Sequence, residues 1–193
     1  MINKKLFEHL KEKHEDFVRS RRMLIKETSD ILSASKQAIF AYHRSDKKEG
    51  DKLVREAKKG LKSIDIRFIQ KDKTLLQQGS LKAAQEEFIE ALFFGLVLDN
   101  KKLDLVKDVE INFESYFGGL CDLTGELVRK SVNLVSAGKM KDIKRFRNIT
   151  EEIIKELIKF NLVGQLRVKY DQARNNLRKM EDIAYDIKIK RNK

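Results

Sequence analysis

An all-α fold is predicted by three features of the chain. It has no proline and only nine glycines in 193 residues, its apolar residues recur at helical steps of three and four, and no stretch alternates as a strand would. With 41% apolar residues the chain is not of the disordered class. The expected architecture is a bundle of about six to seven long helices, one domain over residues 1–193, with helix surface left over for self-association.

The elements follow in order. The first glycine is Gly50. Ahead of it Leu10, His14, Phe17, Arg21, Leu24, Thr28, Ile31, Ser35, Ala38 and Tyr42 form a stripe at alternating steps of four and three, a helix of about forty residues. HRSDKKEGD is expected as the turn. Leu53, Ala57, Leu61, Ile64 and Phe68 mark a second helix, ended by QQGS at 77–80. Ser80 is expected to N-cap the third, which runs through AAQEEFIEALFFGLVL. DNKKLDLVKD reads as a connection with one short helical turn. A fourth helix covers about 112–136 and stops at Gly138. Ile143, Phe146, Ile149, Ile153, Leu157 and Phe160 give a fifth, with a break near Gly164. Leu166, Tyr170, Ala173, Leu177, Met180, Ala184 and Ile187 form the seam of the last.

Charge is high and uneven. The net charge is +12 with a pI near 9.6, which points to a polyanionic partner. Residues 1–73 carry 20 basic against 12 acidic residues and residues 137–193 carry 16 against 8, whereas residues 74–136 carry 6 against 10. Two basic segments therefore flank an acidic middle. The lone Cys121 has no intrachain disulfide partner and reads as a small core residue in a reducing, cytoplasmic setting. The N-terminal stretch lacks an apolar signal core. The longest apolar-or-glycine run, ALFFGLVL, is far short of a membrane span, so no membrane association is expected.

The acidic middle holds the chemistry. In GGLCDLTGEL, Asp122 and Glu126 stand four apart in a run otherwise uncharged from Ser115 to Val128, on one helical face. In QEEFIEALFF, Glu87 and Glu90 share a face while Glu86 points elsewhere. Buried carboxylates are costly unless paired or bound to metal. If the two helices are neighbours, four carboxylates converge into an oxygen-rich cage suited to Mg²⁺ or Mn²⁺. The plainer reading is a surface salt bridge from Glu126 to Arg129 or Lys130, with Glu86, Glu87 and Glu90 in a solvated first turn. His9, His14 and His43 fit neither a Glu-x-x-His di-iron motif nor a zinc pattern. No glycine-rich phosphate loop is present.

YFGGLCDLTGELVRKSVNLVSAGKM resembles the signature of the translin family: a tyrosine before small residues, then an acid-L-T-G-E-L-x-R core and an S-V-N-x-V-x-A-G ending. IFAYHRSD, QEEFIEALFF and LRVKYDQARNNLRKMEDIAYDIKIK are similar to the family's first-helix end, central helix and last helix, in the same order, so the resemblance spans nearly the whole chain. Translin itself is a non-catalytic binder of single-stranded nucleic acid. Its partner, translin-associated factor X, is a metal-dependent endoribonuclease with E-x-x-E on the central helix and D-L-T-G-E later. Glu87 and Glu90 match the first element and Asp122 and Glu126 the second, so the chain resembles the catalytic branch, although its last helix also reads like translin. Glu86 and Phe88 stand where relatives often have Gln and Tyr.

The resemblance implies an all-α protomer in a closed octameric shell enclosing the nucleic acid and active sites. A compact chain of this kind is similar to prokaryotic, archaeal members acting as homo-oligomers. It further implies Mg²⁺-dependent hydrolysis of single-stranded RNA, with Glu87, Glu90 and Asp122 as ligands and Glu126 as ligand or base. The alternative is a binder of single-stranded DNA or RNA without catalysis.

Acids repel RNA unless basic residues draw it in. The candidate phosphate contacts are Arg19, Arg21, Arg22 and Lys26 in RSRRMLIK, His43 and Arg44 in AYHRSDKK, and Lys82 beside the acidic helix. Each reads equally as a solvated helix face. Arg21 interrupts the apolar seam, where an arginine needs a partner. Tyr42 is a core residue before it is a base-stacking one.

Overall fold

The computed structural model describes residues 2–191. Six α-helices form: α1 (Lys4–His43), α2 (Lys47–Ile64), α3 (Gly79–Leu98), α4 (Phe113–Ser136), α5 (Ile143–Leu157) and α6 (Gly164–Arg191). No strand forms among the described residues. A π-helical turn at Asp65–Ile69 and a 3-10 turn at Lys73–Gln77 extend α2 towards α3.

The helix ends obey local chemistry. Asn3, Asp46 and Asn112 each accept a hydrogen bond from a backbone N–H of the helix they open, satisfying donors that have no intrahelical partner. At the end of α4, Gly138 takes φ +70°. There Gly138 N–H donates to Val135 O and Lys139 N–H to Leu134 O, at 3.0 and 2.8 Å, the pair of bonds that closes a helix through a left-handed residue.

Four boundaries differ from expectation. The α1–α2 turn is only Arg44–Asp46, because Asp46 caps α2 and lets Lys47 start it at once. Gln78, not Ser80, stands at the N-cap of α3, and the Ser80 hydroxyl is buried without a partner. Residues 101–110 contain no helical turn. The α1 seam is buried from Leu24 onward, while Leu10 and His14 are exposed, since no other helix covers the first turns.

α1 packs on α2 and α3, α3 on α4, α4 on α5 and α6, and α5 on α6. α3 is thus sandwiched, and it buries Phe88, Ile89, Phe93, Phe94 and Val97 on several sides. Tyr42 locks α1, α2 and α3 together. A Cβ on Gly50 or Gly95 would come within 2.4 or 2.6 Å of its ring and hydroxyl, and its hydroxyl donates to Asp51 Oδ1 at 2.9 Å. Its role is core.

α3 and α4 run in the same direction. Ser115 Oγ donates to Lys82 O at 3.1 Å, and one turn on, Gly118 and Gly119 lie against Glu86 and Ile89. Parallel helices need a long return, which residues 99–112 supply. Buried Gln85 pins that return: its Nε2 donates to Glu110 O at 2.8 Å and its Oε1 accepts from Asn112 N at 3.1 Å. The register sets the acids of α3 beside those of α4.

Candidate active site

Close approach of α3 and α4 depends on the glycine pair. A Cβ on Gly119 would stand 2.7 Å from Ile89 Cγ2 and 2.8 Å from Glu86 O, and one on Gly118 would stand 1.8 Å from Glu86 Oε2. With hydrogens in those places the backbones meet, and the Glu86 carboxylate lies across α4 beside Asp122. Glu86 therefore belongs to the acidic cluster, contrary to the expectation that it points elsewhere.

The four acids named from spacing share one field. Glu90 is 8% exposed, and its carboxyl is pushed up to about 9, first by burial and then by the charges of Asp122, Glu87 and Glu126. Glu87 is also raised, by burial first, with Lys36 of α1 opposing the nearby acids. Burial likewise raises Glu86, against the pull of Lys169. Neither Glu87 nor Glu90 forms an ion pair among the described residues.

The α4 acids, by contrast, have partners. Lys169 of α6 donates to Asp122 Oδ2 at 2.5 Å and reaches Glu86 Oε1 at 3.1 Å. Burial alone would lower the Lys169 ammonium, but the Asp122 and Glu86 carboxylates together outweigh it and raise its pKa. The His43 ring Nε2 donates to Glu126 Oε2, and Arg129 approaches the same oxygen at 3.6 Å. Lys130 does not pair with Glu126. It is buried and donates to the carbonyls of Tyr42 and His43 at 2.8 and 3.2 Å, fixing the end of α1 against α4. Cys121, buried with its thiol pushed up to about 12 by burial and then by Asp122, is a core residue and takes no part.

The basic residues divide. Arg19, Arg21, Arg22, Lys26 and Arg44 are exposed, and Arg21 meets its partner through Nε–H donating to Gln78 Oε1 at 2.9 Å. Lys82 pairs with Glu114 at 2.5 Å. His43 leaves the phosphate-contact set: its side chain is only 5% exposed, stacked beside Phe94 at 5.0 Å and committed to Glu126. Residues that the sequence reading missed complete the site, namely Glu86, Lys169, Lys36 and Arg129. The only advance signal for Lys169 was its place in the VKYD segment of α6.

A hard divalent cation suits this donor set. All the candidates are carboxylates, and the two on α3 have no cation close enough to pair with. The described residues do not hold three or more His, Cys, Asp or Glu side chains already gathered as a cation site, because Lys169 and His43 draw the α4 acids to themselves. The cluster offers carboxylate oxygens and an imidazole-held carboxylate at one exposed edge, so it can bind cations and orient a water.

The comparisons with known proteins agree with this architecture. An uncharacterised protein of Methanocaldococcus jannaschii is 28% identical over 169 residues, 82% of this chain and 72% of that one. A translin-associated protein X homolog of Schizosaccharomyces pombe is 26% identical over 185 residues, 86% and 79% of the two chains. Among solved structures, AfC3PO superposes with a TM-score of 0.86 at 22% identity over 97% of this chain and 99% of that one. AfC3PO in complex with duplex RNA does so with a TM-score of 0.85 at 21% identity, over 96% and 97%. The Translin family model matches residues 19–191, and the chain belongs to the Translin family.

Proposed function

We propose that the protein is a Mg²⁺- or Mn²⁺-dependent endoribonuclease that cleaves single-stranded RNA inside a homo-oligomer, an octamer in the expected form. The observation that carries this reading is Glu90: a carboxyl buried among three others and pushed up to about 9 is expensive in isolation and suited to a cation. Glu87, Glu90 and Asp122 would hold the ion, with Glu126 as ligand or base. A divalent cation bound there would polarise the scissile phosphate and offset its charge. Glu126, held by the His43 ring, orients the attacking water or takes its proton. Lys169 lies across Asp122 and Glu86 and supplies positive charge at the mouth. Exposed Arg19, Arg22, Lys26 and Arg44 draw the phosphate backbone in. The RNA complex of AfC3PO and the translin-associated protein X homolog support a nucleic-acid ligand. Exposed Leu6, Phe7 and Leu10 on α1 supply apolar surface for contact between copies.

A second reading, a binder of single-stranded RNA or DNA without catalysis, is favoured by Lys169, which already neutralises Asp122 and Glu86 from within the chain. One experiment separates the two. Labelled single-stranded RNA is incubated with the protein in Mg²⁺ or in EDTA, beside Glu90→Gln and Asp122→Asn. Products in Mg²⁺ alone, lost by at least about a hundredfold in either variant, support the nuclease; a gel shift without products assigns the binder.

A further inference from the structure

Beside the acidic cluster, between the start of α4, the α5–α6 connection and the start of α6, lies a cavity of about 710 Å³. Its walls are Phe113, Phe117 and Phe160, and its mouth carries Lys82, Glu86 and Lys169. Two of these mouth residues, Glu86 and Lys169, are the ones that flank Asp122, so the cavity opens directly onto the cluster. The three rings form a connected wall, Phe113 to Phe117 at 6.1 Å and 78°, and Phe117 to Phe160 at 4.8 Å and 55°. Phe113 is 66% exposed and Phe160 50% exposed, which is unusual for phenylalanines bordering a charged site.

Apolar ring faces beside ammonium groups match a nucleotide, whose base is flat and apolar on its faces and whose phosphate is anionic. We propose that this cavity receives an unpaired base of the RNA next to the scissile phosphodiester, stacked on Phe160 and Phe113, with Lys82 and Lys169 at the flanking phosphate; the assignment rests on the nuclease reading above. The occupant is a single-stranded nucleotide because a base held in a duplex already spends both faces on its neighbours and cannot turn into a side cavity. Stacking requires no hydrogen-bond readout of the base, so the subsite selects unpaired RNA and tolerates sequence.

The test separates stacking from cleavage by working in EDTA. A short oligouridylate carrying 2-aminopurine at one position in turn is titrated with the full-length protein, and fluorescence reports stacking. Strong quenching is expected at some positions with wild type, lost in Phe160→Ala and in the more exposed Phe113→Ala with about tenfold weaker binding, and retained in Phe160→Tyr. Asp122→Asn, by contrast, is expected to abolish Mg²⁺-dependent cleavage while leaving the quench intact, so failure of the nuclease reading and failure of the subsite are told apart. Unchanged quenching and affinity in both alanine variants overturns the proposal. So does a change in oligomeric mass in those variants with oligonucleotide affinity per protomer unaltered, which assigns the rings to contact between copies.

Discussion

Glu90 concentrates the physical tension of this molecule. Its carboxyl, unperturbed near 4.5 in an open chain and pushed up to about 9 by burial and by Asp122, Glu87 and Glu126, keeps its proton in the folded state over a wide range where the unfolded chain has lost it. Folding therefore takes up a proton in that window, and stability falls as pH rises from about 4.5 through 9. Glu86 and Glu87, raised in the same direction, add to the slope. In EDTA the melting temperature is expected to fall across the window, the fall should be shallower in Glu90→Gln, and Mg²⁺ should raise the wild-type value at the alkaline end by binding the ionised form. A flat profile in EDTA, or the same slope in the variant, contradicts this account of Glu90. Asp122 and Glu126 were visible as a pair because one helix turn separates them. Their partners were not, since Lys169 lies 47 residues from Asp122 and His43 lies 83 from Glu126, and neither carries a local signature.

At the scale of the elements, site geometry depends on how closely α3 and α4 approach. The two glycines at their crossing differ in what a side chain would meet. Gly119→Ala drives its Cβ into Ile89 and the backbone oxygen of Glu86, neither of which moves cheaply. It should cost roughly 1–3 kcal/mol in denaturant unfolding, and by prising the helices apart it should lower Mg²⁺-dependent cleavage about tenfold or more at temperatures where it stays folded. Gly118→Ala meets only the far end of the Glu86 side chain, which can swing away, so its stability cost should be smaller. Equal costs for the two would refute the close-approach argument. Helix existence was legible because stripes at steps of three and four persist over long stretches and asparagine and aspartate mark the starts. Glu86 was misplaced for a reason of the same kind. On an isolated helix it lies well around from Glu87, and only the parallel packing of α4, with no Cβ at Gly118, turns its carboxylate into the cluster. The parallel direction itself was hidden in residues 99–112, whose irregular return is held by Gln85 rather than by any repeating pattern.

For the whole molecule the decisive quantity is the distribution of charge. The net +12 arises from the flanking segments, while α3 and α4 carry the acids, so an approaching RNA is attracted by one part of the surface and repelled by the catalytic part until a cation fills it. Binding should then be salt-dependent, weakening for single strands by roughly 0.7 log units per log unit of salt for each phosphate neutralised. Arg19 and Arg22, both exposed on α1 and lining one shallow groove with Met23, contact phosphates in this scheme. Their joint replacement by glutamine should flatten the salt slope by about one unit and weaken all sequences alike. Asp122→Asn should do the reverse in EDTA, binding RNA more tightly because one repelling charge is gone, with the slope kept. Affinities measured by fluorescence anisotropy at several salt concentrations decide the matter. An unchanged slope in the double variant removes the α1 groove from the binding path, and weaker binding by Asp122→Asn in EDTA places the RNA away from the acidic cluster.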